Sequence, residues 1–327
     1  MREMGNRGNI RQSFAVRVRS FLPTMRLNEP AFILAAIVAL LATNRLPSFA
    51  EARHIMRQQG VSASSQQVGN RAAVRNSEQV RSARRVRNLM YHDGSLLPRP
   101  HLHAIYWGNP AKFPSDFVTG MNDFLQAYGG TGYTDIMTQY LTPRGFLSTL
   151  PSFEPKADSW EDTSEPAPDG ALDAIGNEAC SFAEHVGGGP DPNGLYVIMT
   201  SNFPAHVNFC AYHASWSCPA APSITFPIAY LPNLNKVRGC YLGPRFTSPG
   251  VTNPYSDGVR SNANAAAHEL SEVVTDPLFE GWFDNRGNEI GDKCNFRFRH
   301  PARLSDSFAW QIQELWSNNN RQCIQSE

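Results

Sequence analysis

The stretch Ala265-Ala266-Ala267-His268-Glu269-Leu270-Ser271-Glu272-Val273-Val274-Thr275-Asp276-Pro277 constrains this chain more than any other. It reads as a helix over 262–275, capped by Ser261 or Asn262 and closed by Pro277, because the residue before a proline avoids the α region. Small residues before His268 and β-branched residues after Glu272 mark a helix buried among other elements. A buried histidine and two buried carboxylates are costly unless something satisfies them. Residues four apart share a helix face, so His268 and Glu272 point the same way with Glu269 beside them. Zinc hydrolases use this spacing in the form HExxH, where two histidines hold a metal and the glutamate works on its water. Here Glu272 stands where the second histidine would be, and carboxylates also bind zinc.

Two protein ligands from one helix require a third from elsewhere. His213, in Cys210-Ala211-Tyr212-His213, is the first candidate, in a segment read as a loop that nearby cysteines could fix. Glu289 and Asp292, in Glu289-Ile290-Gly291-Asp292-Lys293-Cys294, are the others. Asp276 lies eight residues past His268, about 12 Å along a straight helix, and reads as a turn residue. Residues 284–288 read as a hairpin turn, and His101 and His103, alternating on one strand, read as structural. The expected site is thus His268, Glu272 and His213 as metal ligands, with Glu289 and Asp292 in reserve and Glu269 as general base. Zinc is the expected ion, with calcium and manganese as alternatives, because oxygen-rich ligation is not zinc-exclusive.

The rest of the pattern gives an α/β class. Strands are expected over 101–107, 195–200, 224–231 and 308–316, and helices over 114–128, 172–186 and 262–275. The 224–231 strand is placed near a sheet edge because Pro227 cannot donate to a ladder. Alternating strands and helices followed by a late charged helix predict a three-layer α/β domain with a mixed sheet, in the element order of zinc-peptidase domains. No serine-hydrolase elbow, phosphate loop or dinucleotide fingerprint stands out.

Residues 1–50 read as a signal peptide. Six arginines precede an apolar run over 31–43, which is too short to span a bilayer, and small residues follow it. Residues 51–88, rich in Gln, Ser, Arg and Asn, read as a disordered linker or propeptide, leaving 89–327 as a single α/β domain. All six cysteines, at 180, 210, 218, 240, 294 and 323, lie in that part, so disulfides and a secreted location are expected, with the pairing open. Basic and acidic residues balance at 29 each. Many of the basic ones precede residue 90, so the domain lacks the clustered Lys and Arg of a nucleic-acid footprint. A monomer without a membrane span is expected.

Several short segments resemble the Exordium/phosphate-induced protein family. Tyr91-His92-Asp93-Gly94 followed by His101 to Gly108 resembles its opening, and Cys210-Ala211-Tyr212-His213 resembles its Cys-Gly-x-His segment. Val274-Thr275-Asp276-Pro277 resembles its Val-Thr-Asn-Pro, and Ala309-Trp310 to Cys323 its last strand and cysteine. The resemblance implies a secreted, cell-wall-associated protein with a role in growth and no settled enzyme activity. The pair His268-Glu269 departs from the plant form and points to a microbial branch. Two readings follow. One is a secreted metal-dependent hydrolase of the zinc-peptidase kind acting on a peptide or cell-wall substrate. The other is a non-enzymatic wall or matrix protein with a structural metal or none.

Overall fold

A computed structural model of the chain describes residues 53–57, 88–97, 99–142, 151–243, 253–304 and 309–327. Residues 1–50, read as a signal peptide, and most of 51–88, read as a linker or propeptide, lie outside these residues.

Ten strands and three principal helices order as follows: β1 Arg53–Arg57, β2 Met90–Tyr91, β3 His101–Trp107, α1 Phe117–Tyr128, β4 Ser159–Asp162, α2 Leu172–Val186, β5 Gly194–Thr200, β6 Phe209–Ser217, β7 Thr225–Pro232, α3 Asp257–Thr275, β8 Trp282–Phe283, β9 Leu315–Ser317 and β10 Gln322–Ile324. Six strands form one mixed sheet in the order β1-β6-β7-β5-β3-β4. β7, β5, β3 and β4 run parallel, while β6 is antiparallel to β7 and β1 antiparallel to β6.

The two faces of the sheet carry separate cores. On one, Ile105, Ile198, Ile228 and Tyr230 pack with Ile175, Ala179 and Phe182 of α2. On the other, Ala104, Val197, Ala229 and Leu231 pack with Phe124 of α1 and with Ala263, Ala267 and Leu270 of α3. Period-2 alternation sends neighbouring strand residues to opposite faces, and the result is the three-layer mixed α/β arrangement that the sequence pattern predicts.

Four expectations change. The segment around His213, read as a loop, is the long strand β6, whose half-buried outer end hides its alternation. β7 is interior rather than at an edge. Its pairing with β5 begins at Ile228, one residue after Pro227, so the missing proline N–H removes nothing from that ladder. The helix carrying His268 starts about a turn and a half earlier than expected, at Asp257, where the Ser256 side chain accepts from the Val259 N–H. The last strand is shorter, Leu315–Ser317, and forms a hairpin with β10. In addition, Arg53–Arg57 of the linker segment pairs with β6 as the outermost strand of the sheet.

α3 is buried along its whole length from Gly258 to Thr275. Several of its polar residues outside the central cluster have assigned partners. Asn262 accepts from the Leu234 N–H and donates to the Pro232 carbonyl, and Ser271 Oγ lies 2.7 Å from Tyr128 Oη. Ser256, at its start, donates to Asp116 at the start of α1. The two helices meet closely at Gly120, where a Cβ would sit 2.6 Å from a Val259 methyl.

Three disulfides join Cys180 to Cys218, Cys210 to Cys240 and Cys294 to Cys323. Among the described residues, no helix is long and apolar enough to cross a membrane.

Candidate metal centre

Three segments meet at the middle of α3. β6 brings His213, because residues 211 and 213 face α3 while Tyr212 and Ala214 face α2. α3 brings His268, Glu269 and Glu272. The loop after β8 brings Glu289 and Asp292. His213, His268, Glu269, Glu272 and Glu289 are all 0 % exposed. The Asp292 side chain, 21 % exposed, is the edge of the cluster nearest solvent.

Each segment is fixed by its sequence neighbours. Cys210, three residues before His213, is tied to Cys240, and Cys294, two residues after Asp292, is tied to Cys323. The Trp316 N–H donates to the Ile290 carbonyl. Gln313 donates its side-chain amide to the Gly291 carbonyl, and its own N–H donates to Asn264 Oδ1, one turn before His268 on α3. Gly291 is required by proximity. A Cβ there would lie 2.9 Å from Glu272 Oε1 and 3.0 Å from His268 Nδ1, so only glycine lets this loop lie against the helix. Asn264, Gln313 and Gly291 carry no metal-ligand signature, and pattern reading passes over them.

The side chains fall into two triads, each with one ligand atom per residue and all three atoms within 4.8 Å of one another. One is His213, Glu272 and Glu289. The other is His268, Glu272 and Asp292. All five expected ligands are brought together, but the two histidines fall in different triads with Glu272 common to both. Glu269 is also present: its Oε2 lies 3.1 Å from His213 Nδ1. Asp276 holds the turn after α3, its Oδ1 accepting from the Gly281 N–H. Phe279 in that turn has a left-handed φ of 62° and stacks on His213 with centroids 5.1 Å apart.

The electrostatics of the cluster are severe. Burial opposes charge on His213 and His268, but the facing carboxylates outweigh it. Glu269 and Glu272 push His213 up to about 9, and Glu272 pushes His268 up to about 10. Burial also works against the Glu272 carboxylate, yet His268 and His213 hold it well below the ordinary range. Burial raises Glu269, partly opposed by His213. Burial raises Glu289 strongly, and the negative neighbours Glu272 and Asp276 add to it. With protein atoms alone, the pocket can limit its negative charge only by taking up protons. A divalent cation would do the same work.

The donor set fits one. His268 Nε2 lies 3.1 Å from Glu272 Oε1 yet makes no hydrogen bond to it. His268 Nδ1, Glu269 Oε1 and Glu272 Oε2 are also buried without hydrogen-bond partners, which is rare in folded proteins. His–carboxylate separations across the cluster run from 3.1 to 3.8 Å. Tetrahedral ligands at zinc–N and zinc–O distances stand about 3.3 Å apart.

A second group, His101, His103 and Asp191, also comes within 4.8 Å. It lies at the start of β3, where the first two residues of one strand face share it, and it is partly open to solvent.

No family model matches the chain, and no solved structure matches it. Among curated proteins, Protein EXORDIUM-like 5 of Arabidopsis thaliana is 28 % identical over 120 residues, covering 31 % of this chain and 33 % of that protein. The similarity thus spans about a third of each chain, and it points to the Exordium family.

Proposed function

We propose that this chain is an extracellular metalloprotein of the Exordium type, in which a divalent cation is built into the fold where β6, α3 and the 289–292 loop meet. The observation that carries this reading is that His268 Nδ1, Glu269 Oε1 and Glu272 Oε2 are fully buried without hydrogen-bond partners. Such groups cost several kcal/mol each unless compensated, and a cation compensates them together. His213, His268, Glu272, Glu289 and Asp292 would hold it, with zinc or manganese the expected ion. Three disulfides and the likeness to an Exordium protein agree with an extracellular setting. Full burial of four of the five ligands favours a structural metal over a catalytic one, which keeps an open position.

One feature favours a second reading, a secreted metal-dependent hydrolase acting on a peptide or cell-wall polymer. Asp292 gives the cluster one solvent-facing edge, and Glu269 keeps one oxygen without a partner. A bound cation would supply Lewis acidity and a polarised water, and Glu269 would accept the proton.

Metal analysis of the purified full chain, with melting curves before and after chelation, tests the first reading. Bound divalent metal and a lower melting temperature on its removal are expected. Metal-free protein that is indifferent to chelator would overturn it. Hydrolysis of mixed peptide and wall-polymer substrates by the metal-loaded chain tests the second. There, Glu269→Gln should keep metal and fold while activity drops about 10²–10⁴-fold.

A further inference from the structure

Resting on the metal-binding reading, we infer that the pocket is a two-cation centre bridged by the Glu272 carboxylate. Its two oxygens face different histidines: Oε1 is 3.1 Å from His268 Nε2, and Oε2 is 3.5 Å from His213 Nδ1. Each histidine has its own second carboxylate. His213 Nε2 lies 3.6 Å from Glu289 Oε2, and His268 Nε2 lies 3.8 Å from Asp292 Oδ1. One imidazole, one private carboxylate and one shared carboxylate therefore recur on both sides of Glu272. A carboxylate that gives one oxygen to each of two ions spans the roughly 3.5–4 Å separation typical of two-metal sites.

Charge favours two ions over one. Glu269, Glu272, Glu289 and Asp292 bring four carboxylates to a pocket whose histidines are neutral when they ligate a metal. Two divalent cations balance them, whereas one leaves two negative charges in a pocket where three of the four carboxylates are fully buried. Glu269 stands outside both triads, with its Oε2 3.1 Å from His213 Nδ1. Ligand sets of one imidazole and two carboxylates suit manganese or zinc.

The experiment loads the full chain with Mn²⁺ alone, and in parallel with Zn²⁺ alone. Metal is then counted per chain after removal of free ion. An Asp191→Asn background removes any contribution from the His101 group. Two ions per chain are expected, falling to one in both Asp292→Asn and Glu289→Gln. The Mn²⁺ form of the chain with no pocket substitution should give the exchange-coupled electron paramagnetic resonance signal of a close pair, which needs no variant to fold. One ion per chain with an uncoupled spectrum overturns the bridged pair and leaves the metal-binding reading standing. No bound ion overturns both. Two ions with an uncoupled spectrum place them apart and overturn the bridge.

Discussion

The chain presents two clusters of histidine and acid, and they treat burial in opposite ways. At the start of β3, His101 is satisfied by protein partners, with Nδ1 2.9 Å from Asp191 Oδ2 and Nε2 3.0 Å from Asp158 Oδ1, and its side chain is 36 % exposed. Its neighbour His103 is buried against Tyr196 and Phe182. Burial, helped by His101, lowers its pKa, so it meets burial by giving up charge. In the central pocket, by contrast, neighbouring carboxylates raise the pKa of both imidazoles, and Glu269 and Glu272 each keep one buried oxygen without a hydrogen-bond partner. Identical residue types thus make a partly solvated polar cluster in one place and a demand for a cation in the other. The difference lies in solvent access and in whether each acid has its own partner.

The largest test of that contrast is paired substitution. His268→Ala should remove the metal that His268 holds and cost about 3–5 kcal/mol, because it leaves the fully buried Glu272 short of a compensating partner. His101→Ala should leave metal content unchanged, since Asp191 and Asp158 can turn to water. Equal effects in melting and metal analysis would break the comparison.

The disulfides come next. Cys294–Cys323 and Cys180–Cys218 close loops of similar length, with separations of 29 and 38 residues, so removing either should cost about 3–4 kcal/mol. Only the loss of Cys294–Cys323 should also weaken metal retention, because it frees the segment carrying Glu289 and Asp292. Chelator titration of the two Cys→Ser pairs separates these outcomes.

Gly291→Ala should be milder in stability, about 1–3 kcal/mol. It should also cost roughly 10–100-fold in metal affinity, as is usual when groups supporting the ligands are disturbed. An unchanged affinity would mean that the loop is not held against α3 as described.

The smallest effect belongs to the outer cluster. His103 is lowered from 6.5 in the fold. As pH falls below about 6.5 the unfolded chain takes up a proton that the native ring resists, so stability contributed by the neutral ring declines with acidification. Denaturant midpoints between pH 7 and pH 5 should show this slope, and His103→Phe should flatten it.

Much of this was legible in the residues themselves. His101 to Trp107 and Leu172 to Val186 fall where alternation and helical spacing put them, because local periodicity and burial agree there. The full burial of α3 was readable from Ala265 to Ala267 and from Val273-Val274. That His268 and Glu272 share a face follows from helix geometry alone. His213 was selected by residue type and cysteine spacing, but its placement on a strand was not, because Phe209–Ser217 mixes apolar, polar and half-buried positions that only its neighbours β1 and β7 organise. The interior position of β7 was hidden for a related reason: Pro227 pairs with Ser215 on the β6 side, and the β5 ladder starts one residue later, at Ile228, which no local pattern reveals.

What the sequence by itself determined is the inventory: a buried helix carrying His268, Glu269 and Glu272, and acids and a histidine elsewhere able to join it. Only the tertiary structure decided the partition. It set the two oxygens of Glu272 toward different histidines, paired His213 with Glu289 and His268 with Asp292, and turned Glu269 toward His213. Those choices depend on which strand lies beside which, on Gln313 and Trp316 holding the 289–292 loop, and on the missing side chain of Gly291. Each is a contact between residues far apart in the chain, and local spacing carries no information about such contacts.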